Sequence, residues 1–289
     1  MTILVTGATG QVGRLVVRGL VDAGADVRAL TRNPATASGV SGGAELVAGD
    51  LTRPGSVRDA LVGVERMYLF PVTGTASEVV ALAKEAGVRR IVVLSSAAAA
   101  DGSDTTVHLP VERAVEESGL EWTHVRPGEF MANKIALWGP SVRERRVVRH
   151  PAPDDAWIAV HEQDIADVAV TALLEDGHIG AAHTLHGPEA ISLREQVGAI
   201  ARAIGVEIRV ERNTREEARE EYIAQGGFAA AAADLLLGFT DFDGNSLDPS
   251  EGGDFDLSAF GPLPSLNDAI GRPGRTFAAW PREHADDFR

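Results

Sequence analysis

One stretch constrains this chain more than any other: Thr6-Gly7-Ala8-Thr9-Gly10-Gln11-Val12-Gly13, three glycines spaced three apart. It directly follows Thr2–Val5, an apolar run of strand length. It leads into Val12, Leu15, Val16, Leu20 and Ala23, whose separations of three to four residues place them on one helical face. Glycines between a buried strand and a helix start let the backbone turn tightly. They also bring N–H groups and the positive helix end close to a bound pyrophosphate. The position of the motif makes it specific; the bland alternative is an ordinary tight turn.

Further strand-length apolar runs recur at Val27–Leu30, Glu45–Ala48, Arg66–Phe70, Arg90–Leu94 and Trp122–Val125. Val79, Val80, Leu82, Ala83 and Ala86 give a second helical stripe. Strands that are continuously apolar, not alternating, predict a parallel sheet covered on both faces. The fold class expected is therefore α/β, a doubly wound parallel sheet of Rossmann type with a smaller, mostly helical C-terminal lobe. Residues 1–150 are expected to form the nucleotide-binding domain, and residues 151–289 a substrate-binding lobe that partly returns to the sheet. In that second half Trp157–Val160 and His183–His186 read as short strands, and Ile165, Val168, Ala169, Ala172 and Leu173 as a helical stripe. His161 and Glu162 lead into that helix. Ser192 with Glu195, and Thr214 with Glu217, carry capping-box spacing ahead of helices reaching Ala203 and Gly226-Gly227. Thr240–Leu257 is acidic throughout and reads as a mobile loop. Asp241-x-Asp243-x-Asn245 within it lacks both the glycine and the bidentate glutamate of a calcium loop, at Ser246 and Gly252.

Composition removes several functions. There is no cysteine, so thiolate catalysis, disulfides and cysteine metal sites are excluded. His183-x-x-His186 lacks further ligands at metal spacing, and no metal is expected. The formal net charge of −15 argues against nucleic acid and anionic membranes as partners. The one dense basic run, Arg143 to His150, reads as a solvated turn or strand edge before a phosphate patch. No apolar run approaches the roughly 18 residues of a membrane span, and no basic leader precedes the first strand, so the cytoplasm is the expected compartment. A small-molecule substrate and a monomer or homodimer complete the expectation.

The end of the second strand sets the nucleotide. Thr31-Arg32-Asn33-Pro34 stands there in place of the acidic residue that accepts from ribose hydroxyls in NAD-binding proteins. Arg32 can pair with a 2′-phosphate, which favours NADPH/NADP+, or it can be a solvated arginine. After the third strand, Gly49-Asp50-Leu51 is placed to meet the adenine, although Asp50 can equally cap the next helix. Gly7, Thr9, Gly10, Gln11, Val12 and Gly13 of the loop, with Arg32, Asp50, Leu51, Pro71 and Pro127, form the expected cofactor contacts.

Together with Ser95-Ser96, Ser118-Gly119-Leu120, Arg126-Pro127-Gly128-x-Phe130, Asn133, Asp164 to Ala169, His186-Gly187-Pro188-Glu189 and Gly271-Arg272-Pro273, these motifs resemble the NmrA-like group of atypical short-chain dehydrogenases/reductases. The resemblance spans nearly the whole chain. It implies an NADPH-dependent oxidoreductase acting on quinones, ketones or activated alkenes, or else a non-catalytic redox sensor. An epimerase ranks last.

Ordinary short-chain reductases protonate the nascent alkoxide with a tyrosine activated by a lysine four residues later. The only tyrosines here, Tyr68 and Tyr222, are followed at that distance by Val72 and Gly226. Thirteen residues beyond Ser95 stands His108, and four further Glu112. His108 is the candidate proton donor, oriented by Glu112, with Ser95 and Ser96 as candidate hydrogen-bond donors to a carbonyl oxygen. Equally, His108 and Glu112 can be a helix start with Pro110 in its first turn, and the serines can satisfy backbone groups at a strand end. Phe130, Met131, Trp138 and Trp157 are candidates for the walls of a substrate cleft at the carboxyl ends of the strands, or for core. The function expected is reduction of a small conjugated or aromatic carbonyl compound, a quinone or polyketide-like ketone, without a Tyr–Lys pair.

Overall fold

The structure, a computed structural model, describes residues 1–40, 42–248 and 266–289. Backbone contacts divide it into two units. The first comprises Met1–Pro127, Glu162–Leu185 and Leu266–Gly271; the second comprises the described residues of Gly128–His161, His186–Ser265 and Arg272–Arg289.

The strands are β1 (Thr2–Val5), β2 (Asp26–Thr31), β3 (Glu45–Ala48), β4 (Val64–Leu69), β5 (Arg90–Leu94), β6 (Glu121–Pro127), β7 (Val147–His150), β8 (Ala156–Trp157), β9 (Ala181–Leu185), β10 (Ile191–Ser192) and β11 (Arg209–Arg212). The helices are α1 (Gly13–Asp22), α2 (Arg58–Leu61), α3 (Ala76–Glu85), α4 (Ala97–Asp101), α5 (Leu109–Glu117), α6 (Asn133–Arg145), α7 (Glu162–Leu174), α8 (Leu193–Ile204), α9 (Arg215–Gln225), α10 (Gly227–Leu236), α11 (Leu266–Ile270) and α12 (Trp280–Glu283).

In the first unit seven strands form one sheet in the order β3-β2-β1-β4-β5-β6-β9, every neighbouring pair parallel. The order reverses between β1 and β4, the switch point at which an open α/β sheet receives its ligand. The interiors of the central strands β1, β4 and β5 are largely apolar because helices cover the faces. Leu4, Met67, Leu69, Ile91 and Val93 pack on one side with Val79, Val80, Ala83, Val111 and Val115 from α3 and α5. Among the buried polar residues of the sheet is Arg90, at the start of β5. Its guanidinium donates to Glu121 (2.9 Å), to the carbonyls of Ala172 (3.2 Å) and Glu175 (2.7 Å), and to Asp176 (2.6 Å). Arg66 donates to the Leu173 carbonyl beside it. Two cations therefore meet the negative end of α7, which fixes that helix under the amino ends of β4 and β5.

The second unit has its own core, in which Trp138, Tyr222, Phe277, Trp280 and Phe288 pack with Val197, Ile200 and Ile204 of α8. The two capping boxes expected from sequence are formed. The Ser192 and Thr214 side chains accept from the backbone N–H of Glu195 and Glu217, whose carboxylates accept in return. The strand expected over Trp157–Val160 is shorter: only Ala156–Trp157 pairs, antiparallel to β10, while Val160 makes a single bridge to Phe130. Arg143–His150 ends α6 and forms β7, with Arg149 paired to Glu211 and Glu221. Of the acidic stretch expected as a loop, Thr240 onward is described only to residue 248, and the remainder lies outside the described residues. Among the described residues no helix is long and apolar enough to cross a membrane.

Candidate functional site

The glycine loop is built around the Gly7 carbonyl. Gly7 adopts φ +60°, a conformation glycine takes without strain, and its carbonyl accepts from Gly10 N–H at 2.9 Å. A Cβ on Gly13 would overlap that same carbonyl, so the third glycine is required for α1 to approach the loop. Thr6, the first residue of the motif and given no separate role there, locks the loop to the sheet. Its hydroxyl donates to the Tyr68 carbonyl (3.0 Å) and accepts from Phe70 N–H (2.7 Å). At the start of α1, Val12 provides no side-chain cap and the first turn holds no acidic residue. The positive end of a ten-residue helix thus faces the loop with no side-chain cap or acidic residue on it, so the residues present fit a dinucleotide pyrophosphate.

Arg32 is exposed just beyond β2, and its positive charge reaches Asp50 beyond β3. Asp50 Oδ1 accepts from Thr52 N–H (3.0 Å) and Thr52 Oγ1 (2.8 Å); these bonds, with Arg53 and Arg32 nearby, hold its carboxyl below the usual carboxylate range. Asp50 therefore closes a turn over Thr52, with Oδ2 facing Arg53 at 3.7 Å, and does not cap the next helical segment, Pro54–Val57, which has no side-chain cap. Leu51 is buried and packs beside Leu69, Phe70, Val72, Ala76 and Val111. Pro71 is half-buried and Pro127, closing β6, is buried.

The catalytic candidates require a correction. Glu112 does not orient His108. It lies buried on α5 and accepts both guanidinium hydrogen bonds of Arg126 on β6, at 2.8 and 2.5 Å. Burial alone would raise its pKa; the Arg126 pair, with Ser95 and His124 beside it, holds it below the ordinary value instead. The carboxylate that reaches His108 is Asp104, fully buried, whose Oδ2 stands 2.5 Å from His108 Nδ1. Asp104 Oδ1 also accepts from the backbone N–H groups of Val107 (2.8 Å) and His108 (3.1 Å). The acid sits four residues before the histidine because it caps the turn that feeds α5, while the acid four residues after is claimed by the neighbouring strand. A signal was present in sequence: Gly102-Ser103-Asp104 is turn chemistry, and an aspartate there bonds backbone groups a few residues on.

Ser95 is buried at the end of β5, on the Glu112 side. Ser96 is the N-cap of α4, accepting from Ala98 N–H at 3.2 Å, so its side chain serves the backbone. Neither tyrosine is available as a surface acid. Tyr68 is 1% exposed and burial drives its phenol far up; Tyr222 is pushed up to about 12, chiefly by burial. In the second unit Met131 and Trp138 are buried in the core, whereas Phe130 and Trp157 are half-buried.

Sheet order and an uncapped glycine-loop helix define a dinucleotide-binding α/β protein. The chain belongs to the NAD(P)H-binding family, whose model matches residues 7–176. It is 36% identical to (4-alkanoyl-5-oxo-2,5-dihydrofuran-3-yl)methyl phosphate reductase of Streptomyces griseus, with 99% of each chain covered. It is 32% identical to the NAD(P)H azoreductase of Xenophilus azovorans, again over 99% of both. Among solved structures, the NADPH complex of an NADPH-dependent quinone oxidoreductase from Escherichia coli superposes with a TM-score of 0.75 at 25% identity, covering 98% of this chain and 99% of that one.

Proposed function

We propose that the chain reduces a small conjugated or aromatic carbonyl compound with NADPH, His108 supplying the proton and Asp104 orienting it. The observation that carries this reading is the Asp104–His108 pair at 2.5 Å in a chain whose two tyrosines are both buried. The relatives support the substrate class: one is named for a dihydrofuranone bearing an alkanoyl group, one for azo compounds, and one structure for quinones. In this reading the start of α1 takes the pyrophosphate, Arg32 the 2′-phosphate, and Asp50–Leu51 the adenine.

When bound, NADPH supplies the hydride. Asp104 accepts from Nδ1–H and holds the ring; protonated Nε2 is then the atom that hands a proton to the substrate oxygen as negative charge develops there. Ser95, buried at the carboxyl end of β5 on the Glu112 side, supports that carboxylate and is given no part in the proton transfer. Glu112 and Arg126 keep α5, and with it His108, fixed against β6.

The test is NADPH oxidation by the purified protein across a panel of quinones, aromatic ketones and conjugated lactones, with His108→Ala in parallel. The expected loss is about 100-fold in kcat at unchanged NADPH affinity, the scale of a removed general acid. Unchanged turnover removes His108 from the chemistry. Tight binding of NADP+ with no turnover on any compound points to a sensor.

A further inference from the structure

Arg14, the second residue of α1, is a cation where a helix by itself favours an anion. The first turn of α1 carries no acidic residue and places a guanidinium there instead, against the helix dipole. The backbone N–H of Arg14 is used, donating to the Gly10 carbonyl at 3.2 Å. Its side chain is half-buried and has no hydrogen-bond or ion-pair partner among the described residues. Other arginines of the first unit are engaged: Arg28, Arg66, Arg90 and Arg126 each meet a carboxylate, and Arg18, one turn along α1, donates to Gln163. Arg32 shares the unpaired state of Arg14, with no hydrogen bond or ion pair among the described residues.

Helix geometry puts the two unpaired arginines at one corner of the first unit. Seven residues, close to two turns, bring a side chain back to within about 20° of the same direction, so Arg14 shares its side of α1 with Val21. Val21 covers Gly43, two residues ahead of β3, so closely that a Cβ on the glycine would overlap it. On the opposite flank of α1, Gly19 lies against Val170 of α7. Arg14 therefore stands on the flank that faces β2 and β3, not on the one that faces α7. Long side chains of a helix lean toward its amino end. From the first turn of α1 that lean carries the guanidinium toward the carboxyl end of β2, where Arg32 stands and where its charge reaches Asp50 beyond β3.

We propose that Arg14 is a second ligand of the cofactor's 2′-phosphate, gripping it together with Arg32 and so setting the preference for NADPH over NADH. This rests on the reading of Arg32 as the residue at that phosphate. A phosphate monoester offers three free oxygens and roughly two negative charges near neutrality. One guanidinium engages two of those oxygens through its paired N–H groups, and an exposed one such as Arg32 does so in competition with water. A second, half-buried guanidinium takes the remaining oxygen with its charge less screened. The phosphate in turn relieves the meeting of a cation with the positive end of α1. In a chain of formal net charge −15, which repels an anionic nucleotide at long range, two arginines at one corner also supply local attraction.

The test is calorimetric titration of the full chain with NADPH and with NADH, for the wild type, Arg14→Gln, Arg14→Lys and Arg32→Gln. Arg14→Gln is expected to weaken NADPH about tenfold, as for a lost hydrogen bond between charged groups, and NADH less than about twofold, which also shows that the variant is folded. Arg14→Lys keeps the charge and the stem but not the paired donors, and its smaller loss should again fall on NADPH alone. Equal losses for the two nucleotides would assign Arg14 to the pyrophosphate or to the fold, and unchanged NADPH affinity would assign it to solvent. Either result overturns the proposal, as does a wild type that binds both nucleotides alike. The Arg32 reading is judged apart: a selective loss in Arg14→Gln with none in Arg32→Gln would sink Arg32 and leave Arg14 standing, and the reverse would overturn Arg14 alone.

Discussion

The Glu112–Arg126 pair shows how one side chain is assigned its role by what surrounds it. Glu112 is 1% exposed, and a carboxylate in that position is tolerable only because a guanidinium binds both of its oxygens. Replacing it with glutamine should cost about 3 kcal/mol in urea unfolding at neutral pH, since the arginine is left partly buried without its counter-charge. The pH dependence has a definite sign. Folding lowers the Glu112 pKa below its ordinary 4.5, so the stabilisation is complete above that value and is lost as pH falls through the lowered one. The gap between wild type and Glu112→Gln should therefore close in acid; a gap that stays constant would mean that the carboxylate is not ionised in the folded protein. Sequence could not assign this partner. Arg126 is fourteen residues away on a strand, whereas spacing arguments compare residues on one helix. Asp104 was hidden for a related reason: the Tyr–Lys pattern directs attention four residues forward from position 108, and the carboxylate lies four residues back.

Among the elements, the buried parallel strands were the most legible. Thr2–Val5 and Arg90–Leu94 start and end where their apolar runs do, since a strand covered on both faces has few polar positions to blur its limits, and the edge strand Glu45–Ala48 keeps its bounds although it is largely exposed. The short pairs of the second unit were not legible. Trp157 and Val160 make separate contacts in place of one strand, a result fixed by tertiary pairing that no local pattern encodes. The glycine loop was legible down to single residues, and Gly13 sets two effects against each other. Alanine there would favour α1 by about 1 kcal/mol on intrinsic propensity. Its Cβ would also overlap the Gly7 carbonyl and push the helix start off the loop. The second effect should prevail: Gly13→Ala is expected to weaken NADPH at least tenfold in calorimetric titration and to lower the melting temperature, since the atom that must shift is a backbone carbonyl. Unchanged affinity would show that the first turn of α1 does not grip the phosphates.

For the molecule as a whole, the order in which the chain is made does not match the order in which its parts become stable. The sheet is seeded at β1, but its last strand is β9, and the helix anchored by Arg66 and Arg90 is α7. A polypeptide of residues 1–150 therefore has β6 as a bare edge and an arginine at position 90 without its carbonyl partners on α7, a combination that invites strand-to-strand aggregation. Such a fragment is expected to be insoluble or to bind no NADPH, whereas one extended to residue 185 regains both α7 and β9; a soluble, nucleotide-binding fragment ending at 150 would refute this. During synthesis the residues from Gly128 to His161 leave the ribosome before the sheet can close. The nucleotide-binding unit is thus finished late, after part of its neighbour already exists, and for that interval an incomplete sheet edge is open to any chaperone or nascent chain at hand.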